Sequence, residues 1–268
     1  MTRKIALMNT IVLMTDFGEA SAYVAQMKGV LLSIAPGVNL VDISHSIAAQ
    51  SIDEARHLLE QTAFAFPLGT VFLVVVDPGV GTSRRGIALR AKGMTFVGPD
   101  NGVLSWPLEQ EDVDVYTLTN KALFQPEVSP TFHGRDIFAP VAAEIAMGLE
   151  LSEVGVRIDD PVVKARVKAV KSGELTWQVR CDWNDNFGNV ITNLRVQEFP
   201  MGVTEVMVHA HEVKRAPFCR TYGEVADGDL LALVSSSGYL ELAIRNGSAR
   251  AFLGEALLES VFEIRVMP

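Results

Sequence analysis

Apolar positions along the chain alternate between two periods. Residues 11–15 (IVLMT) form an unbroken apolar run that stops at Asp16-Phe17-Gly18, as a strand buried on both faces would. Val24, Met27, Leu31 and Ile34 then recur at helical spacing until Pro36-Gly37 ends the pattern. Residues 38–43 read as a strand. Ile52, Ala55, Leu59 and Ala63 share one face of a second helix, which Ser51 is placed to cap and residues 67–69 close. Residues 71–76 are again a buried strand, 86–90, 94–97 and 114–119 are further strands, and a helix carrying Val141, Ala142, Ile145 and Leu149 follows residues 131–136. Strands alternating with helices through short turns predict an α/β domain built on a mostly parallel sheet.

The pattern changes after Gly155. Residues 159–174, with Pro161 and several lysines and arginines, read as a linker. From Leu175 onward helical spacing fades, and short β-rich runs at 177–182, 190–194, 203–209, 230–234, 239–244 and 261–266 predict an all-β domain, a small barrel or a sandwich. The expected organisation is an N-terminal α/β domain at 1–158, the linker, and a C-terminal β-barrel domain at 175–268.

Composition narrows the class of protein. The 268 residues are 49% apolar and 21% charged, the balance of a globular chain, and the net charge of -9 argues against a nucleic-acid partner. Cys181 and Cys219 make neither a disulfide framework nor a metal-binding pair, which suits a reducing compartment. Two basic residues precede the first apolar run, as in a signal peptide, but the run ends at Thr15-Asp16 without a small-residue cleavage pattern. No segment approaches the roughly 20 apolar residues of a membrane span. A soluble cytoplasmic protein without a membrane partner is expected.

Chemistry concentrates where apolar strands stop. The strand at 71–76 breaks at Asp77-Pro78 and passes through a turn containing Gly79 and Gly81 to Arg84 and Arg85. In open α/β sheets ligands bind beyond the carboxyl ends of strands, so Asp77 and Arg84 either shape this turn or act on a ligand there. Asp16 and Asp100 also close apolar strands, and His133 stands beside Gly134 in a loop. A Walker loop, a dinucleotide fingerprint and a serine nucleophile elbow are absent. His209 and His211 alternate on a presumed strand, a spacing more typical of a solvated face than of a metal site.

Longer blocks connect these residues. TDFG (15–18), YVAQMKGV (23–30), VDISHSI (41–47), FPLGTVFLVVVDPGVGTSRR (66–85), FVGPDNGVLS (96–105), TFHGRDIFAPVAA (131–143), DNFGNVITN (185–193) and SSSGYLELAIRNGSA (235–249) occur in order over nearly the whole chain. Together they resemble the S-adenosyl-L-methionine (SAM) hydroxide adenosyltransferase family, the SAM hydrolases related to fluorinating and chlorinating SAM enzymes. The resemblance implies cleavage of SAM by water to adenosine and L-methionine, with no cofactor and no metal, SAM itself being the substrate. The family's Asp-Arg-His triad falls on Asp77, Arg84 and His133. These would grip a water, bias it toward hydroxide and pass its proton to the carboxylate or the imidazole.

The recognition residues follow by the same resemblance. Asp16 is expected at the ribose hydroxyls, Asn189 at the adenine edge, Tyr222 packed on the adenine, Asp185 at the methionine ammonium, and Ser236 with Ser237 at its carboxylate. Two positions depart from the family pattern: Ser21 stands where TDFGxxD has its second aspartate, and Asn184 stands where some relatives carry another acid. A homotrimer is implied, with each site between one subunit's N-terminal domain and a neighbour's C-terminal domain. The alternatives are a SAM-dependent halogenase, against which the intact Asp77 and His133 speak, and a non-catalytic SAM or adenosine sensor, to which Ser21 lends weight.

Overall fold

The computed structural model describes residues 9–209, 212–258 and 260–268. Residues 1–8, where the question of a signal peptide arises, and His211 lie outside the described residues. Two compact units divide between Ala165 and Arg166.

The first unit contains β1 (Thr10–Thr15), α1 (Tyr23–Ile34), β2 (Asn39–Ser44), α2 (Ile52–Ala63), β3 (Val71–Val75), β4 (Gly86–Ala91), β5 (Met94–Pro99), α3 (Ser105–Leu108), β6 (Asp114–Thr117) and α4 (Ala139–Ala146). Its sheet has the order β2-β1-β3-β5-β4-β6. Strands β2, β1, β3 and β5 pair in parallel, whereas β4 is antiparallel to both β5 and β6. The sheet is therefore mixed where a mostly parallel one was expected. The cause is local: only Lys92 and Gly93, both at positive φ, separate β4 from β5. A two-residue turn of that kind makes a hairpin and cannot carry a parallel crossover.

Successive side chains of a strand face opposite ways, and the two resulting faces have separate cores. Ile11, Leu13, Leu73 and Val75 pack with Met27 and Leu31 of α1 and with Val141 and Ala142 of α4. On the other face Val12, Met14, Phe72, Val74 and Phe96 pack with Ala55 and Leu59 of α2. Every residue of β3 is buried, and each such side chain contributes about 1.5–3 kcal/mol of apolar burial. Ser51 stands at the start of α2 but makes no side-chain cap; Glu54 instead accepts the Ala48 N–H at 3.0 Å.

From β1 the chain moves outward to β2, then returns past β1 to β3. The winding direction reverses between β1 and β3, and their adjacent carboxyl ends form the crevice where such sheets hold ligands.

The second unit contains β7 (Val170–Gly173), β8 (Thr176–Asn184), β9 (Val190–Arg195), β10 (Glu205–His209), β11 (Val213–Pro217), β12 (Leu230–Val234), β13 (Tyr239–Ile244) and β14 (Val261–Met267), and, where an all-β domain was expected, two short helices α5 (Ala249–Leu253) and α6 (Glu255–Leu258) before β14. Its strands pair antiparallel in the order β11-β10-β14-β8-β9-β13-β12, with β7 on β8. Phe218, just past β11, bridges to Ala232 of β12, and the Cys219 N–H donates to the Ala232 carbonyl at 2.8 Å, so the sheet nearly closes into a barrel. Trp177, Val206, Leu240, Leu242 and Ile264 fill it. Of residues 159–174, Asp160 and Val162 bond to Arg85 and Asp100 of the first unit, whereas 170–173 are the edge strand of the second. Among the described residues no helix is long and apolar enough to cross a membrane.

Candidate active site

Val76 is the last buried residue of the β3 run, and the chain turns at Asp77-Pro78. The loop is tightened by Val80 N–H to the Asp77 carbonyl at 3.2 Å and by the Thr82 hydroxyl to the Gly79 carbonyl at 2.7 Å. It returns Arg84 to Asp77. Arg84 Nε donates to Asp77 Oδ1 at 3.0 Å and Nη2 donates to Oδ2, a two-pronged pairing of fork and carboxylate. Nη2 also meets His133 Nδ1 at 3.1 Å, and Nη1 donates to the Arg85 carbonyl at 3.2 Å. The two charged side chains are only 5% (Asp77) and 9% (Arg84) exposed, with the guanidinium carbon 5.2 Å from the centre of the Phe138 ring. Residues seven and 49 positions apart thus form one hydrogen-bonded cluster.

His133 stands immediately before a π-helical turn, Gly134–Phe138, that leads into α4. Such turns insert a residue into the helical ladder and often mark functional sites. Gly134 brings this turn close to the sheet, since a β-carbon there would lie 3.3–3.4 Å from Met27, Phe17 and Val75. Asp136, buried beneath, accepts Arg135 Nε at 2.6 Å and the Ser129 N–H at 2.9 Å, and so holds the loop that presents His133. Burial pushes the Asp136 carboxyl up, but the Arg135 guanidinium and the Ser129 N–H outweigh it, leaving the group below its ordinary value.

Burial, and then the Arg84 charge, lowers the His133 pKa, so the imidazole is neutral at neutral pH. A guanidinium only donates, so Nδ1 is the acceptor and the ring proton resides on Nε2. Arg84, His133, Leu118, Thr119 and Ile137 line an adjoining cleft of about 380 Å³.

Asp16 follows β1 directly, beside the end of β3. Its loop is tied to His45, which is buried. The Gly18 N–H donates to the His45 carbonyl at 2.7 Å, and Thr15 Oγ1 lies 2.9 Å from His45 Nδ1 while accepting the Phe17 N–H at 3.3 Å. His45 Nε2 is 3.0 Å from Asp42 Oδ1. One Asp16 oxygen accepts the Gln50 N–H at 2.8 Å. Ser21 Oγ donates to the Phe17 carbonyl at 3.0 Å, so the departure from the family pattern serves the same loop.

The remaining expected residues belong to the second unit. Asp185 Oδ1 accepts the Phe187 and Asn189 N–H groups at 2.9 Å each, and Oδ2 accepts Asn189 Nδ2 at 2.9 Å. Asp185 therefore builds the loop that buries Asn189, whose Oδ1 and second amide hydrogen are left for other contacts. Tyr222 is half-exposed and donates to Glu241 Oε1 at 2.7 Å. Burial and the Glu241 carboxylate raise its pKa. Ser236 is exposed at the turn between β12 and β13, and Ser237 Oγ lies 3.0 Å from Ser235 Oγ.

Glu241 went unnoticed in the sequence. It is 5% exposed within β13, and its pKa is raised by burial and further by the Asp185 charge. A lone acid at a buried position of an apolar strand is the signal that marks it. Among the described residues no group of three or more His, Cys, Asp or Glu is arranged to hold a metal ion, and His209 lies 3.9 Å from Glu263.

Two family models match the chain: the SAM hydroxide adenosyltransferase N-terminal domain over residues 11–155 and the C-terminal domain over 181–261. The chain belongs to the SAM hydroxide adenosyltransferase family. Similar members include the (R)-S-adenosyl-L-methionine hydrolase of Thermus thermophilus, 37% identical over 260 residues with 92% of this chain and 96% of that protein covered. The hydrolase of the same name from Salinispora tropica is 37% identical over 254 residues, covering 90% and 92%. A fluorinase from an Actinoplanes species is 30% identical over 280 residues, covering 90% and 92%. Among solved structures, an uncharacterized conserved protein from Thermotoga maritima superposes with a TM-score of 0.88 at 37% identity, covering 97% of this chain and 100% of that one.

Proposed function

We propose that this chain hydrolyses SAM to adenosine and L-methionine, with Asp77, Arg84 and His133 acting on the attacking water. The observation that carries the reading is the buried hydrogen-bonded cluster of those three side chains beside the sheet's switch point. In the reaction the C5′–S bond breaks with its electron pair passing to sulfur, which becomes a neutral thioether. A C5′–O bond forms, and one proton is released. The sulfonium is already a good leaving group, so the chemistry requires an activated nucleophile held in line with the breaking bond.

The division of labour follows from the hydrogen bonds. Since Arg84 occupies Nδ1 of His133, the imidazole presents Nε2–H to the nucleophile as a donor and does not take its proton there. The proton passes to Asp77, while the fixed positive charge of Arg84 and the Nε2–H favour hydroxide over water. Loss of charge at sulfur in the transition state further favours a desolvated site.

Asp16 then holds the ribose hydroxyls; Asn189 and Tyr222 hold the adenine; Asp185 and the serines at 236 and 237 hold the amino-acid end. The chain acts as a homotrimer, each site drawing on neighbouring subunits, and needs no cofactor. Incubation with SAM in chloride-containing buffer, followed by chromatography, tests the reading. Adenosine and methionine in equal amounts from the parent, and none from Asp77→Ala or His133→Ala, support it; 5′-chloro-adenosine or intact SAM refutes it.

A further inference from the structure

The loop from Asp77 to Arg84 carries two of the three clustered side chains, and each of its ends is held by one of two consecutive residues at the end of β5. Asn101 Nδ2 donates to the carbonyl of Val76 at 2.9 Å, while its Oδ1 accepts the Val103 N–H at 3.1 Å. The carbonyl it grips belongs to the peptide that leads into Asp77. Asp100 holds the other end. Its Oδ2 accepts Arg85 Nε at 2.9 Å and lies 2.7 Å from Nη2, its N–H donates to the Arg85 carbonyl at 2.9 Å, and its Oδ1 accepts the Val162 N–H at 2.7 Å.

The Arg85 carbonyl is the meeting point, because it also accepts Arg84 Nη1 at 3.2 Å. The guanidinium that spans Asp77 and His133 is thus braced from behind by an oxygen whose place Asp100 sets. The Asp100 side chain is 1% exposed, and its two oxygens are taken up by Arg85 and by the Val162 N–H, which fixes its place between the loop end and residue 162. We propose that Asp100 and Asn101 are positioning residues for the reaction, setting the Arg84 guanidinium and the Asp77 carboxylate at their working separation from His133. The inference rests on the hydrolase reading above. A misplacement of about 1 Å at a reacting group can cost roughly a hundredfold in rate, which is the scale on which such a brace acts.

Asn101→Asp keeps the shape and the bond from Val103 but cannot donate to Val76. Asp100→Asn keeps the shape but offers one acceptor oxygen where Arg85 and Val162 use two. Each variant is expected to lower kcat for adenosine formation at least about tenfold with KM for SAM within about threefold. Crystal structures of the variants should show Arg84 Nη2 and His133 Nδ1 separated beyond hydrogen-bond reach.

Residues that act through a shared partner give non-additive losses. Asn101→Asp is therefore expected to add nothing in an Asp77→Asn background, and Asp100→Asn nothing in an Arg84→Ala background. Equal losses in both backgrounds would mean general destabilisation and overturn the proposal, as would variants with parental kcat and an unmoved Arg84. Should Asp100→Asn fail to fold, Asn101→Asp carries the test, since it leaves the Asp100 bonds intact. A parent enzyme that leaves SAM untouched counts against the hydrolase reading, whereas the crystallographic distances decide the positioning role in either case.

Discussion

Gly81→Ala isolates the effect of loop geometry, because the substitution adds one methyl group and changes no charge. Gly81 has a φ of +78°, and a β-carbon on it would lie 2.6 Å from the Pro130 carbonyl oxygen, in the loop that leads to His133. Ordinary contact begins near 3.4 Å, so the Asp77–Arg84 loop and the His133 loop must separate by about 0.8 Å. Left-handed backbone costs alanine about 1–2 kcal/mol, and the overlap adds about 1–3 kcal/mol, giving a loss of roughly 2–5 kcal/mol in unfolding free energy.

The displacement falls on the contact between Arg84 Nη2 and His133 Nδ1, now 3.1 Å, and should lower the rate of adenosine release by about a hundredfold. Gly79 is the control within the same loop. A β-carbon there would meet Arg84 and Thr82 at 3.4–3.6 Å, ordinary contact, so Gly79→Ala should retain activity within a few-fold. Urea denaturation gives the stability change and chromatography of adenosine the rate. Parental stability and rate in Gly81→Ala, or equal damage from Gly79→Ala, would show that the approach of Gly81 to Pro130 does not set the Arg84–His133 contact.

Arg84→Lys should lower kcat by at least about a hundredfold, because an ammonium cannot bond both Asp77 oxygens and His133 in one plane; steady-state kinetics at saturating SAM checks this. The His133 pKa lies below its ordinary value of 6.5, so as the pH falls the unfolded chain takes up the proton first. The stability that parent holds over His133→Asn should be constant above about pH 6.5 and shrink as pH falls through the folded value, as read by urea midpoints; a difference that grows in acid contradicts this. His45→Ala removes the ties to Thr15 and should raise KM for SAM several-fold with a smaller change in kcat, since it acts on the Asp16 loop and not on the triad.

Much of this architecture is legible in periodicity alone. The alternation of apolar runs and helical spacing places β1, α1, β2, α2 and β3, because β1 and β3 are apolar on both faces while α1 and α2 each carry a single apolar stripe. The mixed character of the sheet turns on Lys92-Gly93, a two-residue hairpin signal easily overlooked between two apolar strands. β7 is exposed along its whole length, and β11 buries only Ala216, so neither carries a hydrophobic signature. The π turn after His133 is a backbone event with no periodicity to announce it.

At the site, the triad is legible only through the family blocks. Nothing in local spacing joins Asp77 and Arg84 to His133 across 49 residues. The supporting bonds of His45, Asp100 and Asn101 are less visible still, because their partners are backbone groups or neighbouring strand ends, available only once the sheet has formed. Asp185 shows the same limit: the family resemblance implies a ligand contact, and the structure adds that its carboxylate builds the loop around Asn189.

In the proposed reaction solvent oxygen attacks C5′ of SAM under the control of Asp77, Arg84 and His133. Reaction in ¹⁸O-labelled water, with mass spectrometry of the products, tests it directly. The expected products are adenosine carrying ¹⁸O at its 5′-hydroxyl and unlabelled methionine, formed by the parent and lost in the Asp77→Ala and His133→Ala variants. Unlabelled adenosine, or labelled adenosine formed equally fast without the triad, would contradict it.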